Sequence, residues 1–335
     1  MNTSKRFSLL IFVLILNSCI QDYAINYDNS PKGNFELLWK TVNENYCFFE
    51  QKGIDWDVIR IEYEKKITAN TDKKELFNIC STMLNELKDG HVNLYSDFNT
   101  SRYWDWFLDY PQNFNWPLVE RNYLGKECII AGRLKAKNIK GVGYLRYESF
   151  NDNISFENVR EAVHQLGDIK GLIIDIRDNG GGYVEMANLF ASCFFSKKTI
   201  VGYLKYKEGP GHSDFSVFFP QYIEPGSASV YDGEIAILTN RLVFSSANDF
   251  VSMMKTLPNV TVIGDVTGGG GGTPFSSELF NGWKVRMSRD PMFNVQKESI
   301  EAGIVSDIAV SISPEDEQNG IDTIIEFALN YLSKQ

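Results

Sequence analysis

The first part of the chain has the hydrophobic pattern of amphipathic helices. Over residues 35–87, apolar side chains recur three or four positions apart, as at Phe35, Leu38 and Val42. We interpret these positions as the core-facing sides of helices. The helical region is expected to end at Gly90, because glycine favours a helix stop.

After residue 141 the pattern changes, and short apolar runs alternate with amphipathic stretches. This alternation favours an α/β domain with a largely parallel or mixed sheet. The predicted strands are 142–147, 171–176, 235–239 and 260–263, and the predicted helices are 156–166, 184–194, 247–257 and a last one over 320–332.

Residues 1–18 are typical of a secretory signal. Lys5 and Arg6 precede the apolar run 7–16, which is shorter than the roughly 20 residues of a membrane-spanning helix. Cys19 follows Leu-Asn-Ser and resembles the acylated cysteine of a bacterial lipobox. A lipid on Cys19 would anchor the protein to the cell envelope, at the periplasmic face or the cell surface. A plain signal peptide followed by a chance cysteine is the alternative.

These patterns predict five consecutive segments. They are a lipoprotein signal peptide over 1–18, a polar tether over 19–32, a helical domain over 33–95, a β-rich connecting segment over 96–140 and an α/β domain over 141–335, the candidate for any catalytic site.

Composition narrows the function classes. The 335 residues are 43% hydrophobic and 23% charged, as in ordinary globular proteins. The formal net charge is −10 and no dense basic run is present, which argues against nucleic-acid binding. No cysteine or histidine spacing is typical of a metal site, and nothing calls for an organic cofactor. Buried thiols are the favoured state of the later cysteines, with disulfides as the alternative: Cys47, Cys80, Cys128 and Cys193.

Three segments carry residue types that packing alone does not require. His91 follows the predicted helix stop and could move protons near neutral pH, or be structural. The glycines at 180–182 follow an apolar strand and could expose N–H groups to an oxyanion, or form a tight turn. Ser245 and Ser246 open a helix, where a serine is either a nucleophile or an N-cap. No GxSxG sequence is present.

Together these segments resemble the tail-specific (C-terminal processing) serine peptidases, in particular the branch similar to the tricorn core. The resemblance spans roughly residues 35–312. Its blocks are LKDGHVNL (87–94), GYLRYESF (143–150), GLIIDIRDNGGG (171–182), LTNRLVFSSANDF (238–250), VIGDVTGGGGG (262–272) and, more loosely, IEAGIVSDIAV (300–310).

The resemblance implies an α/β fold, with a crotonase/ClpP-like catalytic core preceded by a small helical domain. It also implies that Ser245 is the nucleophile. The N–H group of Ser246, with that of Gly181 or its neighbour, would then form the oxyanion hole.

The resemblance offers two ways to activate the serine. One branch uses a lysine in the glycine-rich block, but here that position is Gly270. The tricorn-like branch uses a histidine and a carboxylate near the C-terminus. His91 matches the histidine, and Glu301 is the predicted carboxylate, with Glu298 as its rival. His212 is the alternative base.

The implied function is that of an exported, lipid-anchored serine peptidase acting on peptide or protein substrates. Between His91 and Gly141 lie too few residues for the PDZ domain that many processing peptidases insert. A non-catalytic protein that binds a peptide or a hydrophobic ligand on the same fold is the competing hypothesis. The sequence identifies neither the natural substrate, nor endo- or exopeptidase action, nor the oligomeric state.

Overall fold

The computed structural model describes residues 28–226 and 229–334. The predicted signal peptide, Cys19 and most of the tether lie outside these residues. The first helix begins at Pro31, inside the segment predicted as tether, and Ser30 caps it by accepting a hydrogen bond from the N–H of Gly33. Among the described residues, none of the helices has both the length and the apolar character needed to cross a membrane.

Four helices form the N-terminal part of the described chain, as the apolar spacing predicted. Asp55 and Asp72 cap the third and fourth by accepting hydrogen bonds from N–H groups of the first turn. The helices are α1 (Pro31–Asn45), α2 (Phe49–Lys52), α3 (Trp56–Glu64) and α4 (Lys73–Asn85).

The rest of the chain contains thirteen described strands and seven further α-helices, which include the strands and helices predicted after residue 141. The strands are β1 (Asn93–Tyr95), β2 (Thr100–Arg102), β3 (Ile129–Ala131), β4 (Leu134–Ile139), β5 (Val142–Arg146), β6 (Leu172–Asp175), β7 (Thr199–Leu204), β8 (Phe219–Ile223), β9 (Ile235–Thr239), β10 (Val260–Gly264), β11 (Gly272–Glu278), β12 (Lys284–Phe293) and β13 (Ile308–Ala309). The helices are α5 (Asp105–Leu108), α6 (Trp116–Val119), α7 (Phe156–Gln165), α8 (Val184–Ser192), α9 (Ser246–Met254), α10 (Pro314–Gln318) and α11 (Thr323–Leu332).

A seven-stranded sheet forms the α/β core, in the order β13-β10-β9-β6-β5-β4-β3. The strands from β13 to β5 are parallel, and β4 and β3 are antiparallel. Every residue of β5, β6 and β9 is buried, because helices α7, α8 and α9 cover one face and α11 covers the other. Burial on both faces explains why these strands are continuous apolar runs. The predicted α/β class is confirmed.

A second sheet is antiparallel and joins strands that follow the N-terminal helices to strands from the later part of the chain. Its order is β2-β1-β12-β7-β8, with β11 also paired to β12. Because β12 packs on the N-terminal helices, Val285 and Met287 share one core with Phe35 and Leu38. The helical region 33–95 therefore has no core of its own, which the sequence prediction did not anticipate.

Residues 96–140 also differ from the predicted β-rich connection. Their first part holds β2 and the short helices α5 and α6, followed by a π-helical turn at Glu120–Leu124 and a 3₁₀ turn at Gly125–Glu127. Strands β3 and β4 extend the seven-stranded sheet instead of forming a connection.

Candidate active site

Ser245 occupies a strained turn between β9 and α9. Its backbone has φ 59° and ψ −128°, a conformation that few non-glycine residues adopt and that costs on the order of 1–3 kcal/mol. Its N–H donates to the carbonyl of Gly269 at 2.9 Å. The Ser245 side chain makes no capping hydrogen bond to α9. The capping interpretation of this serine is therefore wrong.

His91 lies against Ser245, although 154 positions separate them in the sequence. The distance between His91 Nε2 and Ser245 Oγ is 2.9 Å. His91 comes from the turn between α4 and β1, where its N–H donates to Asp89 Oδ1 at 2.7 Å. The ring of Phe244 packs beside the imidazole, with 4.7 Å between centroids. A serine and an imidazole in this contact have the geometry required of a nucleophile and its general base.

Burial keeps this imidazole neutral. His91 is 3% exposed, and desolvation lowers its pKa to about 4. The positive charges of Arg286 and Lys52 also lower this pKa, whereas the negative charge of Asp89 acts to raise it. A neutral imidazole can accept the serine proton at neutral pH.

The other ring nitrogen faces Ser288, on strand β12. Ser288 Oγ lies 3.4 Å from His91 Nδ1 and 3.3 Å from Asp89 Oδ2. Tyr46 also donates to Asp89 Oδ2, at 3.0 Å. Burial acts to raise the pKa of Asp89, but Lys52, His91 and the Tyr46 hydroxyl hold it below its ordinary value. An ionised carboxylate thus faces the imidazole through one hydroxyl group.

Glu301 is not the residue that faces the ring. Its Oε1 pairs with Lys52 Nζ at 2.8 Å and its Oε2 accepts from the N–H of Gly271 at 2.9 Å. Burial and the nearby charge of Asp89 raise the pKa of Glu301 to about 7, against Lys52. The prediction that Glu301 orients the histidine is corrected: Asp89 and Ser288 hold that position. The rival Glu298 accepts from Asn294 Nδ2 at 2.9 Å, at an exposed site.

The glycine-rich block explains why no lysine stands at position 270. A Cβ on Gly270 would lie 2.7 Å from the Phe244 ring and 3.0 Å from His91 Cε1. The backbone there has φ +80°, which also favours glycine. A side chain at position 270 would therefore require the Phe244 ring, and to a smaller extent His91, to shift.

The loop at 178–182 also packs against Ser245 and its neighbours. The N–H of Phe244 donates to the carbonyl of Asn179 at 3.2 Å, and Ser246 Oγ donates to the carbonyl of Gly182 at 3.2 Å. The N–H of Gly181 already donates to Asn179 Oδ1 at 3.0 Å. This N–H is therefore not free for an oxyanion, which corrects the choice of Gly181. Its neighbour Gly182 lines the cleft beside Ser245.

A buried ionic network holds this loop in place. Arg177 pairs with Asp175 at 2.6 Å and with Asp322 at 2.9 Å, and all three side chains are at most 1% exposed. Tyr144 donates to the same Asp175 at 2.7 Å. The charged residues of the sequence IDIRDNGGG therefore support the loop, and the glycines approach the serine.

Ser245 and His91 open into a cleft of about 580 Å³. One wall is the aromatic segment 103–107, which Arg241 fixes by donating to the carbonyl of Trp106 at 2.7 Å. His212 lies elsewhere: it contacts Asn43 Oδ1 at 2.9 Å and stacks on Phe49. The four described cysteines are free thiols: Cys47, Cys80, Cys128 and Cys193.

The sequence prediction missed Asp89, Ser288 and Lys52. Asp89 lies in the same DGHV segment as His91, so a carboxylate two residues before the histidine was a usable signal. Ser288 and Lys52 carried no such signal, because strand pairing and helix packing bring them to the site.

Two family models match parts of the chain. The family model for peptidase family S41 matches residues 141–310, half of the chain, and the model for the tricorn protease C1 domain matches residues 27–85. The crystal structure of a candidate peptidase from Parabacteroides merdae has 45% identity and a TM-score of 0.88, covering 91% of this chain and 97% of that one.

More distant relatives are proteases. A carboxyl-terminal-processing protease from Synechocystis is 27% identical over 174 residues, which are 51% of this chain but 38% of the relative. The chain thus spans well under half the length of that relative. The photosystem II D1 C-terminal processing protease has a similar fold, with a TM-score of 0.54 at 14% identity, covering 88% of this chain and 97% of that chain. The predicted α/β core with a small helical region before it is shared with these neighbours.

Proposed function

Because the chain belongs to peptidase family S41, a family of serine-type peptidases, we propose that it hydrolyses peptide bonds with Ser245 as nucleophile and His91 as general base. The observation that carries this proposal is the 2.9 Å contact between Ser245 Oγ and His91 Nε2, at the edge of an open cleft. The strained Ser245 backbone supports it, since strain of this kind is typical of functional residues.

The reaction follows the order of other serine peptidases. His91 Nε2 takes the proton of Ser245 as Oγ attacks the substrate carbonyl, and the imidazolium then protonates the leaving amine. An acyl-enzyme on Ser245 remains, and a water activated by His91 hydrolyses it. The N–H of Ser246, at the start of α9, and that of Gly182 are the proposed oxyanion donors.

Asp89 and Ser288 act as positioning residues in this proposal. The Nδ1–H of His91 would donate to Ser288 Oγ, and the Ser288 hydroxyl to Asp89 Oδ2. With Nδ1 protonated in these two hydrogen bonds, Nε2 carries no proton and can accept one from Ser245. The negative charge of Asp89 also stabilises the imidazolium formed during the reaction.

This assignment predicts different effects for two carboxylates. Asp89→Asn should lower kcat on the order of 10²-fold, because it removes the charge that faces the imidazolium and permits the wrong tautomer. Glu301→Gln should cost less than about tenfold, since a carboxyl with a pKa of about 7 is already partly neutral near that pH. Steady-state kinetics at fixed pH measure both, with circular dichroism confirming the fold. A larger loss of kcat in Glu301→Gln than in Asp89→Asn would show that Glu301, and not Asp89, positions the histidine.

Reaction with a fluorophosphonate probe tests the proposed function. The active protein should gain one covalent adduct per chain by intact mass, and it should release fluorescence from an internally quenched peptide mixture. A folded protein that shows neither response would support the competing hypothesis of a binding protein.

We further propose that the protein is exported and anchored to the cell envelope through a lipid on Cys19. The charged start, the apolar run 7–16 and the Leu-Asn-Ser sequence before Cys19 support this proposal. In a bacterial host, Cys19→Ser should abolish incorporation of labelled palmitate and move the protein out of the membrane fraction. Unchanged labelling would exclude Cys19 as the lipidated residue.

A further inference from the structure

Two arginines flank one position at the floor of the cleft. On β1, Asn93 pairs with Arg286 of β12 on one side and with Arg102 of β2 on the other. Residues directly opposite each other in an antiparallel sheet point to the same face. The sheet register therefore places Arg102, Asn93 and Arg286 in one row across three strands.

This row faces the cleft and not the core. The next residues along each strand, Leu94, Val285 and Ser101, are at most 8% exposed, and the two apolar ones belong to the core shared with the N-terminal helices. Arg102 and Arg286 line the same cleft as His91 and Ser245.

Both arginines are available to a ligand. Among the described residues, neither forms an ion pair with a carboxylate, whereas many other arginines of the chain do. The Arg102 guanidinium lies 5.3 Å from the Trp104 ring centroid, a contact that restricts its orientation. Asp178 also lines the cleft, but its Oδ1 already accepts from Asn240 Nδ2 at 2.6 Å.

We propose that Arg102 and Arg286 bind a carboxylate group of the peptide substrate and so select anionic peptides. Guanidinium groups suit this task because their paired N–H donors match the two oxygens of a carboxylate. The carboxylate comes either from an acidic side chain or from the free C-terminus of the peptide. This inference rests on the proposed function, because the bound peptide is taken to be the substrate that Ser245 attacks.

Binding to the full-length Ser245→Ala variant tests the proposal without any need for hydrolysis. Three sets of labelled short peptides share one neutral sequence. In the first set the C-terminus is amidated and a single glutamate is placed at each position in turn. The second set has glutamine in place of the glutamate, and the third has glutamine and a free C-terminal carboxylate. Fluorescence anisotropy gives the Kd of each. A carboxylate-bearing set should bind about tenfold or more tightly than the glutamine amides. The glutamate set and the free-acid set distinguish the two sources of the carboxylate.

Variants locate the selectivity. Adding Arg102→Gln and Arg286→Gln to Ser245→Ala should abolish the preference, and Arg102→Gln alone, at an exposed position, should reduce it. Lys284→Gln is the matched control, because Lys284 is the cation two residues before Arg286 on the same strand and does not line the cleft. It should keep the preference.

Equal affinity for all three peptide sets would overturn the proposal, as would a preference that survives in the double arginine variant or disappears equally in Lys284→Gln. Fluorophosphonate labelling of the wild-type chain reports the proposed function separately. A labelled protein without carboxylate preference would therefore refute this inference alone.

Discussion

Replacing Ser245 by alanine should abolish both peptide hydrolysis and fluorophosphonate labelling. The expected loss in kcat is at least about 10⁴-fold, because the variant has no hydroxyl to attack the carbonyl and only the oxyanion donors and substrate binding remain. Stopped-flow or steady-state fluorescence with quenched peptides measures the first effect, and intact mass after probe treatment measures the second.

The fold should survive this substitution. Alanine keeps the Cβ atom at the same positive φ, so the backbone strain at position 245 is retained and the melting temperature should change little. Ser252→Ala, two turns further along α9, is the matched control and should keep labelling and turnover. Labelling that persists in Ser245→Ala would show that another residue is the nucleophile.

Replacing His91 by alanine should cause nearly the same loss of hydrolysis. Ser245 would keep its proton, because the described side chains offer no other base within hydrogen-bond distance of its hydroxyl. Since the two residues act as a unit, the double variant should be no less active than either single variant. Near-normal turnover by His91→Ala would refute the assigned base.

The low pKa of His91 gives this assignment a pH signature. The imidazole must be neutral to accept the serine proton, so kcat/KM should fall as the pH drops through about 4, where the ring becomes protonated. An exposed histidine would give this decline near pH 6.5. A decline near 6.5 in the folded protein would show that His91 is solvated in the active enzyme.

The elements that bury one regular apolar face were predictable from the sequence. The helices from α1 to α4, the parallel strands and the helices after residue 141 followed from local periodicity. The antiparallel sheet was not predictable in this way. Its central pairing joins Asn93 to Arg286, and no local pattern specifies which of several short strands will meet across such a separation.

At the site, too, some features could be predicted from the sequence and others depended on the tertiary structure. The sequence by itself predicted the serine and the histidine, because the ordered blocks that contain them resemble those of a known family. Only the tertiary structure decided what supports them. Asp89 and Ser288 face the imidazole, Glu301 pairs with Lys52, and Gly181 has already donated its N–H. Hydrogen bonds depend on distance and direction within a few tenths of an ångström, and residues far apart in the chain acquire that geometry only when the two sheets assemble.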